Sequence, residues 1–413
     1  MRLASYRAPG LVLTEHEFEL PVDHGQPDSR KLTVFAREVV APGRERDDPP
    51  WLVFFQGGPG FEATRPLKPG NPTWLERALE DYRVLLLDQR GTGRSSPVGE
   101  LGGMSSAEQA EYLAHFRADA IVRDAELIRR ELRVERWSVL GQSFGGFCVT
   151  RYLSAAPDGL AEAFVTGGLP PLDRHPDDVY RATYRRVLAR NHAYYARYPD
   201  DRDRVRRIIE RLERDDVRLP SGDRLTPRRF RQLGNLLGMS DGFERLHYLI
   251  ELPVGSPAFL HDVDGAFPFA RNPLYAVIHE ASYAPEGATR WSADRVMPDE
   301  FRDDPTLFTG EHVYRWMLEE YGALRPLAEA ANLLAEREWP QQYDSERLRN
   351  NDVPTAAAIY AEDMYVEREY SEETATAIRG LRTWVTNEYE HDGLRADGAR
   401  VLGRLIDLAR GRA

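Results

Sequence analysis

Trp137-Ser138-Val139-Leu140-Gly141-Gln142-Ser143-Phe144-Gly145-Gly146 runs from a short apolar segment, through a serine flanked by glycines, into a largely apolar stretch that ends near Ala155. An apolar run this short reads as a strand buried on both faces of a sheet, and 144–155 as the helix that follows it. On the N-terminal side, Trp51–Phe55 and Val84–Leu87 are two further apolar runs, and 107–132 has helical periodicity. Glu17–Val22 and Leu32–Val39 roughly alternate apolar and polar residues, as half-buried antiparallel strands do. On the C-terminal side, Ala163–Thr166 reads as one more strand. Strands alternating with helices predict a doubly wound α/β domain with a mostly parallel central sheet and helices on both faces.

The pattern changes after Pro170-Pro171. From about 177 to 338 helix signals dominate, in Val179–Ala196, Arg202–Glu213, Arg228–Leu237 and Glu311–Tyr321, punctuated by Pro220, Gly222, Pro253 and Pro268. Strand signals return in Pro354–Tyr360 and Leu381–Thr386, and a helix over Ala399–Arg410 closes the chain. A helical block between two parts of one sheet predicts a core of residues 1–171 and 346–413 with an inserted helical cap of residues 172–345.

Gly141-Gln142-Ser143-Phe144-Gly145 matches G-x-S-x-G between a strand and a helix. In that setting the serine occupies a sharp, strained turn that lifts its Oγ above the sheet, and the small neighbours avoid clashes. Ser143 therefore reads as a nucleophile rather than as part of a Gly-rich turn. Gln56-Gly57-Gly58-Pro59-Gly60 follows the strand 51–55 and fits a loop that donates one oxyanion N–H, from Gly57 or Gly58. Phe144, the residue after the nucleophile, would donate the other. The required acid and histidine must come later in the chain. Ala361-Glu362-Asp363-Met364 and Glu390-His391-Asp392-Gly393 each leave a late strand at its carboxyl end, where sheet active sites lie. Asp363 is the expected partner of His391, with Glu362 as its rival.

Asp88-Gln89-Arg90-Gly91-Thr92-Gly93-Arg94-Ser95 could pass for a nucleotide loop, but Ser96 stands where G-x-G-x-x-G needs its third glycine. A structural role for Asp88 and Arg90, tying loops near the oxyanion strand, is expected instead. His279-Glu280-Ala281-Ser282-Tyr283 begins like H-E-x-x-H but places Tyr283 at the second ligand position, so no metal or other cofactor is expected. A formal net charge of −12 excludes nucleic acid as the main partner, because phosphate binding needs a concentrated basic face. The single cysteine, Cys148, permits no internal disulfide and fits a reducing compartment. With no secretory leader pattern and no apolar run of membrane-spanning length, a cytoplasmic protein without a membrane partner is expected.

Taken together, these motifs resemble the prolyl aminopeptidase (proline iminopeptidase) family of α/β-hydrolase serine peptidases, in its longer bacterial form. Gly57-Gly58-Pro59-Gly60 is similar to that family's H-G-G-P-G, with Gln56 in place of the histidine. Asp88 to Ser95 resembles D-Q-R-G-x-G-x-S, and Gly141 to Gly146 resembles G-x-S-W-G-G with Phe144 for the tryptophan. Asp363-Met364-Tyr365-Val366 and His391-Asp392-Gly393 are also similar to the longer members. The resemblance implies an α/β-hydrolase fold and metal-free release of N-terminal proline from small peptides. It also implies cap glutamates that hold the substrate's charged amine, for which Glu280 and Glu311 are the candidates. Tyr283, Phe308 or Trp316 could pack against the pyrrolidine ring. Without the resemblance the residues describe only a capped serine hydrolase, so an esterase or amidase acting on small non-peptide substrates remains the alternative. A catalytically silent hydrolase that binds a ligand is a further one.

Overall fold

The structure, a computed structural model, describes residues 2–413. Its strands are β1 (Arg2–Ala8), β2 (Leu11–Pro21), β3 (Lys31–Val40), β4 (Trp51–Phe55), β5 (Arg83–Leu87), β6 (Trp137–Gln142), β7 (Leu160–Thr166), β8 (Thr355–Tyr360) and β9 (Arg382–Thr386). They form one nine-stranded sheet in the order β1-β2-β3-β5-β4-β6-β7-β8-β9. β1, β2 and β3 pair antiparallel, and β3 is antiparallel to β5. From β5 to β9 every pairing is parallel.

Alternation along the strands divides the core between the two faces of this sheet. On β4, Leu52 and Phe54 join Trp74, Leu75, Leu402 and Leu405 beneath the helices Leu75–Asp81 and Gly398–Ala409. Val53 and Phe55 face the other way, with Val139, Phe147 and Tyr152, beneath the helices Ala118–Glu131 and Phe144–Ala155. This second core continues without a break into the helical block, through Tyr180, Tyr283 and Phe308.

Between β7 and β8 the described residues form helices, turns and isolated bridges but no strand of the sheet. The longest helix, Pro176–Arg197, starts where sequence chemistry favours it: the His175 side chain accepts from the Asp177 N–H, and Pro176 occupies the first turn. The block is tied down beside the carboxyl ends of the strands. Arg186 donates to Glu367 at 2.6 and 2.9 Å, and the Tyr283 hydroxyl donates to the Tyr365 carbonyl at 3.1 Å. The His391 N–H donates to the Gly238 carbonyl at 3.2 Å.

Several elements differ from the sequence reading. The helix expected over 107–132 is two helices, Ser106–Leu113 and Ala118–Glu131, joined by a 3-10 turn. Arg117 is extended at the junction (ψ 173°), and its buried guanidinium donates to the Ala284 carbonyl and lies 4.5 Å from the Trp339 ring. Arg228–Leu237 is a five-residue helix running into a 3-10 segment. Glu311–Tyr321 is helical only over Met317–Glu320; ahead of it His312 Nε2 lies 3.1 Å from the Thr183 hydroxyl and the Tyr314 hydroxyl 3.0 Å from that of Tyr184, both partners remote in the chain. The sequence reading does not include the helix Leu75–Asp81, which is short although Leu75, Ala78 and Leu79 fall on one face, or the exposed edge strand β1, which has no apolar alternation. Among the described residues, no helix is long and apolar enough to cross a membrane.

Candidate active site

Ser143 sits at the turn between β6 and the helix Phe144–Ala155, with φ 55° and ψ −125°. A non-glycine residue held there is strained, and the surroundings hold it. Its N–H donates to the Thr166 carbonyl at 2.9 Å, and its carbonyl accepts from Gly146 at 2.7 Å. The neighbouring glycines are required by close approach. A Cβ on Gly145 would collide with the Phe55 carbonyl oxygen. One on Gly57 would lie 3.0 Å from the Ser143 Cβ, which sets the β4 loop directly beside the serine. Phe144 opens the helix, so its N–H belongs to the unpaired first turn, where partial positive charge gathers. Gly57 and Phe144 thus both lie beside Ser143, with Gly58 next along the same loop. The 88–95 motif braces this loop. The Gln89 amide donates to the Gln56 carbonyl at 3.0 Å, and buried Arg90 donates to Asp124, Val22 and His115 at 2.7–2.8 Å.

Asp363 follows β8 and His391 follows β9. Asp363 Oδ2 lies 2.7 Å from His391 Nδ1. Asp363 Oδ1 accepts from the N–H groups of Tyr365 and Val366 at 2.8 and 3.0 Å, which fixes the carboxylate, whereas Glu362 is exposed. With Nδ1 engaged, His391 Nε2 is the nitrogen available as base. Burial disfavours the imidazolium, but the Asp363 charge and hydrogen bond outweigh it, so the His391 pKa is raised. Ser143 and His391 share the Gly167-Gly168 turn after β7. A Cβ on Gly167 would lie 3.2 Å from His391 Nδ1, and one on Gly168 would strike the Ser143 carbonyl.

Glu311 approaches from the helical block. Burial pushes its carboxyl up to about 7; the Tyr275 hydroxyl (2.6 Å) and His391 oppose the rise, and Asp363 adds to it. Tyr283 is buried, its ring against Phe147, Tyr180 and His279, and its hydroxyl is occupied by Tyr365. Glu280 lies deeper. Its Oε1 accepts from the Ala293 N–H at 2.9 Å, while Oε2 is buried without a hydrogen-bond partner. Burial raises its pKa to about 7, with the Ala293 bond opposing. Tyr180, whose hydroxyl is also buried and unpaired, feels the charges of both Glu280 and Glu311. Phe308 packs inside the helical block against Tyr195 and Phe230, and Trp316 stacks on Tyr314 under Arg228. Tyr275 and Tyr180 carried no sequence signal of their own, since their partners are remote in the chain. Among the described residues, no three His, Cys, Asp or Glu side chains are grouped to hold a metal.

A serine on a strained strand-to-helix elbow, above a mostly parallel sheet of this order, defines an α/β hydrolase. Residues 50–210 match the family model of the alpha/beta hydrolase fold. The chain is 48% identical to a proline iminopeptidase of Aeromonas sobria, over 98% of each chain. It is 35% identical to a proline iminopeptidase of Aspergillus aculeatus, covering 98% of this chain and 95% of that one. A probable proline iminopeptidase of Streptomyces coelicolor is 36% identical over 36% of this chain and 40% of its own length. The chain belongs to the proline iminopeptidase family.

Proposed function

We propose that this chain is a serine aminopeptidase that releases N-terminal proline from small peptides. Residues 172–345 serve as a cap over a core of 1–171 and 346–413. Ser143 Oγ attacks the prolyl carbonyl carbon while His391 Nε2 takes its proton and Asp363 holds the imidazole and stabilises its charge. The oxyanion accepts hydrogen bonds from Phe144 and from Gly57 or Gly58. Collapse breaks the C–N bond as His391 returns the proton to the leaving amine. Water, deprotonated by the same histidine, then hydrolyses the prolyl ester and frees Ser143.

The observation that carries this reading is the carboxyl of Glu311, raised to about 7 at a site where it senses His391 and Asp363. A half-buried carboxyl whose side-chain hydrogen bond comes from the neutral Tyr275 hydroxyl is poised for a cationic partner. Proline's secondary ammonium brings a full charge and two N–H donors, and its arrival favours the ionised carboxylate. Glu280 supplies a second acidic group behind Tyr180, and Tyr283 contributes an aromatic wall. The sole cysteine, buried at Cys148, is compatible with a cytoplasmic location. The test is a panel of aminoacyl-naphthylamides beside simple acyl esters. Prolyl-naphthylamide should be the preferred substrate. Rapid turnover of the esters with none of the prolyl compound would replace this reading with an esterase.

A further inference from the structure

A cavity of about 460 Å³ opens directly on His391. It shares no lining residue with the pocket of about 20 Å³ at Glu311 and Tyr275. Its volume falls in the range of small-molecule pockets, roughly 300–1,000 Å³. Phe54, Trp74 and Met239 give it apolar walls, and Gln56, Gln142 and His391 give it polar ones. Phe54 and Trp74 are fixed against each other with ring centroids 4.6 Å apart. Met239 is half-buried, and its two neighbours anchor it to the histidine loop: the Gly238 carbonyl accepts from His391 N–H, and Ser240 donates to Asp392 from its N–H and hydroxyl at 2.9 and 2.6 Å. The side chains of Gln56 and Gln142 are half-buried, and neither makes a hydrogen bond to another described residue.

The geometry points to this cavity as the seat of the residue that follows the N-terminal proline, with a preference for a large apolar side chain there. The inference rests on the aminopeptidase reading. The leaving nitrogen must come within hydrogen-bond reach of His391 Nε2 to receive its proton, so the residue carrying that nitrogen begins beside the histidine. The cavity is the space that His391 itself walls. Half-buried Met239 offers apolar surface to a side chain, backed by the edges of Phe54 and Trp74, while the two free carboxamides match the N–H and C=O of the leaving peptide's backbone. Gln56 replaces the histidine of the family pattern and places an uncharged donor and acceptor on that wall.

The test measures kcat/KM on Pro-NH2, Pro-Gly-NH2 and Pro-Phe-NH2, with all C-termini uncharged. Wild type should favour Pro-Phe-NH2 over Pro-Gly-NH2 by roughly tenfold or more, the scale on which apolar pockets discriminate. Met239→Trp, which fills the cavity, should bring that ratio close to one. Gln56→Ala should lower both dipeptide amides relative to Pro-NH2, which has no second residue. Circular dichroism and fluorophosphonate labelling establish that each variant is folded. If Met239→Trp fails to fold, Met239→Asp replaces it, and the charge should abolish the preference for Phe. Cleavage of Pro-NH2 by wild type without preference at the second position, or a preference unchanged in the folded Met239 variant, overturns the subsite and leaves proline release standing. Wild type that hydrolyses esters but none of the three amides overturns both.

Discussion

Glu280→Gln should make the protein more stable at alkaline pH while weakening its hold on a charged substrate. Glu280 is 6% exposed, Oε1 accepts one N–H and Oε2 is unpartnered, so burial lifts the pKa from 4.5 to about 7. Between those two values the folded chain keeps a proton that the unfolded chain has lost. Stability therefore falls as pH rises through that window, and the full penalty stands above about pH 7. At ~1.4 kcal/mol per pH unit of displacement, the penalty is on the order of 3 kcal/mol. Glutamine preserves the acceptor for Ala293 and never ionises. The variant should gain roughly 1 kcal/mol over wild type near pH 5 and roughly 3 kcal/mol near pH 8. Urea unfolding of both proteins at the two pH values measures this directly, since the difference cancels every other titrating group. A gain that is equal at both pH values, or a loss at pH 8, would refute the reasoning: Glu280 would then be ionised in the fold and paired there.

The remaining predictions concern the elbow and the site. Gly145→Ala should cost roughly 1–3 kcal/mol or prevent folding, because its methyl group meets the Phe55 carbonyl; Gly99→Ala, with nothing within 4 Å of the added carbon, is the control in thermal melts. Asp363→Asn should lower kcat by about 10⁴-fold with the fold intact, whereas Glu362→Gln should leave turnover near normal; similar turnover in the two would dissolve the assignment. The acid limb of kcat/KM should lie at higher pH for a prolyl amide than for a neutral ester. Both substrates lose the neutral His391 base as pH falls, but only the amide also loses the Glu311 carboxylate as that group protonates around pH 7. Superimposable limbs would remove Glu311 from amine recognition.

Much of the hydrolase core was legible in the sequence, because its signals are local. The apolar runs at 51–55, 84–87 and 137–140 are strands β4, β5 and β6, and Gly141–Gly146 is the elbow. Pro354–Tyr360 joins the same sheet as 137–140, with β7 between them. The sequence favoured Asp363 over Glu362 but carried no local signal that separates them. Both stand in one loop, and only the turn that aims Asp363 Oδ1 at two N–H groups, and Oδ2 at His391, separates them. The helical block was legible in kind but not in detail. Glu311–Tyr321 has helical composition, yet its residues serve buried partners on several sides, and Arg117 breaks a helix for a carbonyl 167 residues away. Such long-range contacts leave no periodic trace. The cavity beside His391 belongs to the same class, since its walls come from six separate segments of the chain.

The most direct test follows free proline liberated from a Pro-Phe peptide, with wild type and Ser143→Ala compared in the presence of a chelator. Wild type should release stoichiometric proline, unaffected by the chelator, and should lose that activity on fluorophosphonate labelling at Ser143. Ser143→Ala should remain folded, take up no label and release proline several orders of magnitude more slowly. Near-normal proline release by Ser143→Ala, or wild-type activity that the chelator removes and added metal restores, would contradict the account.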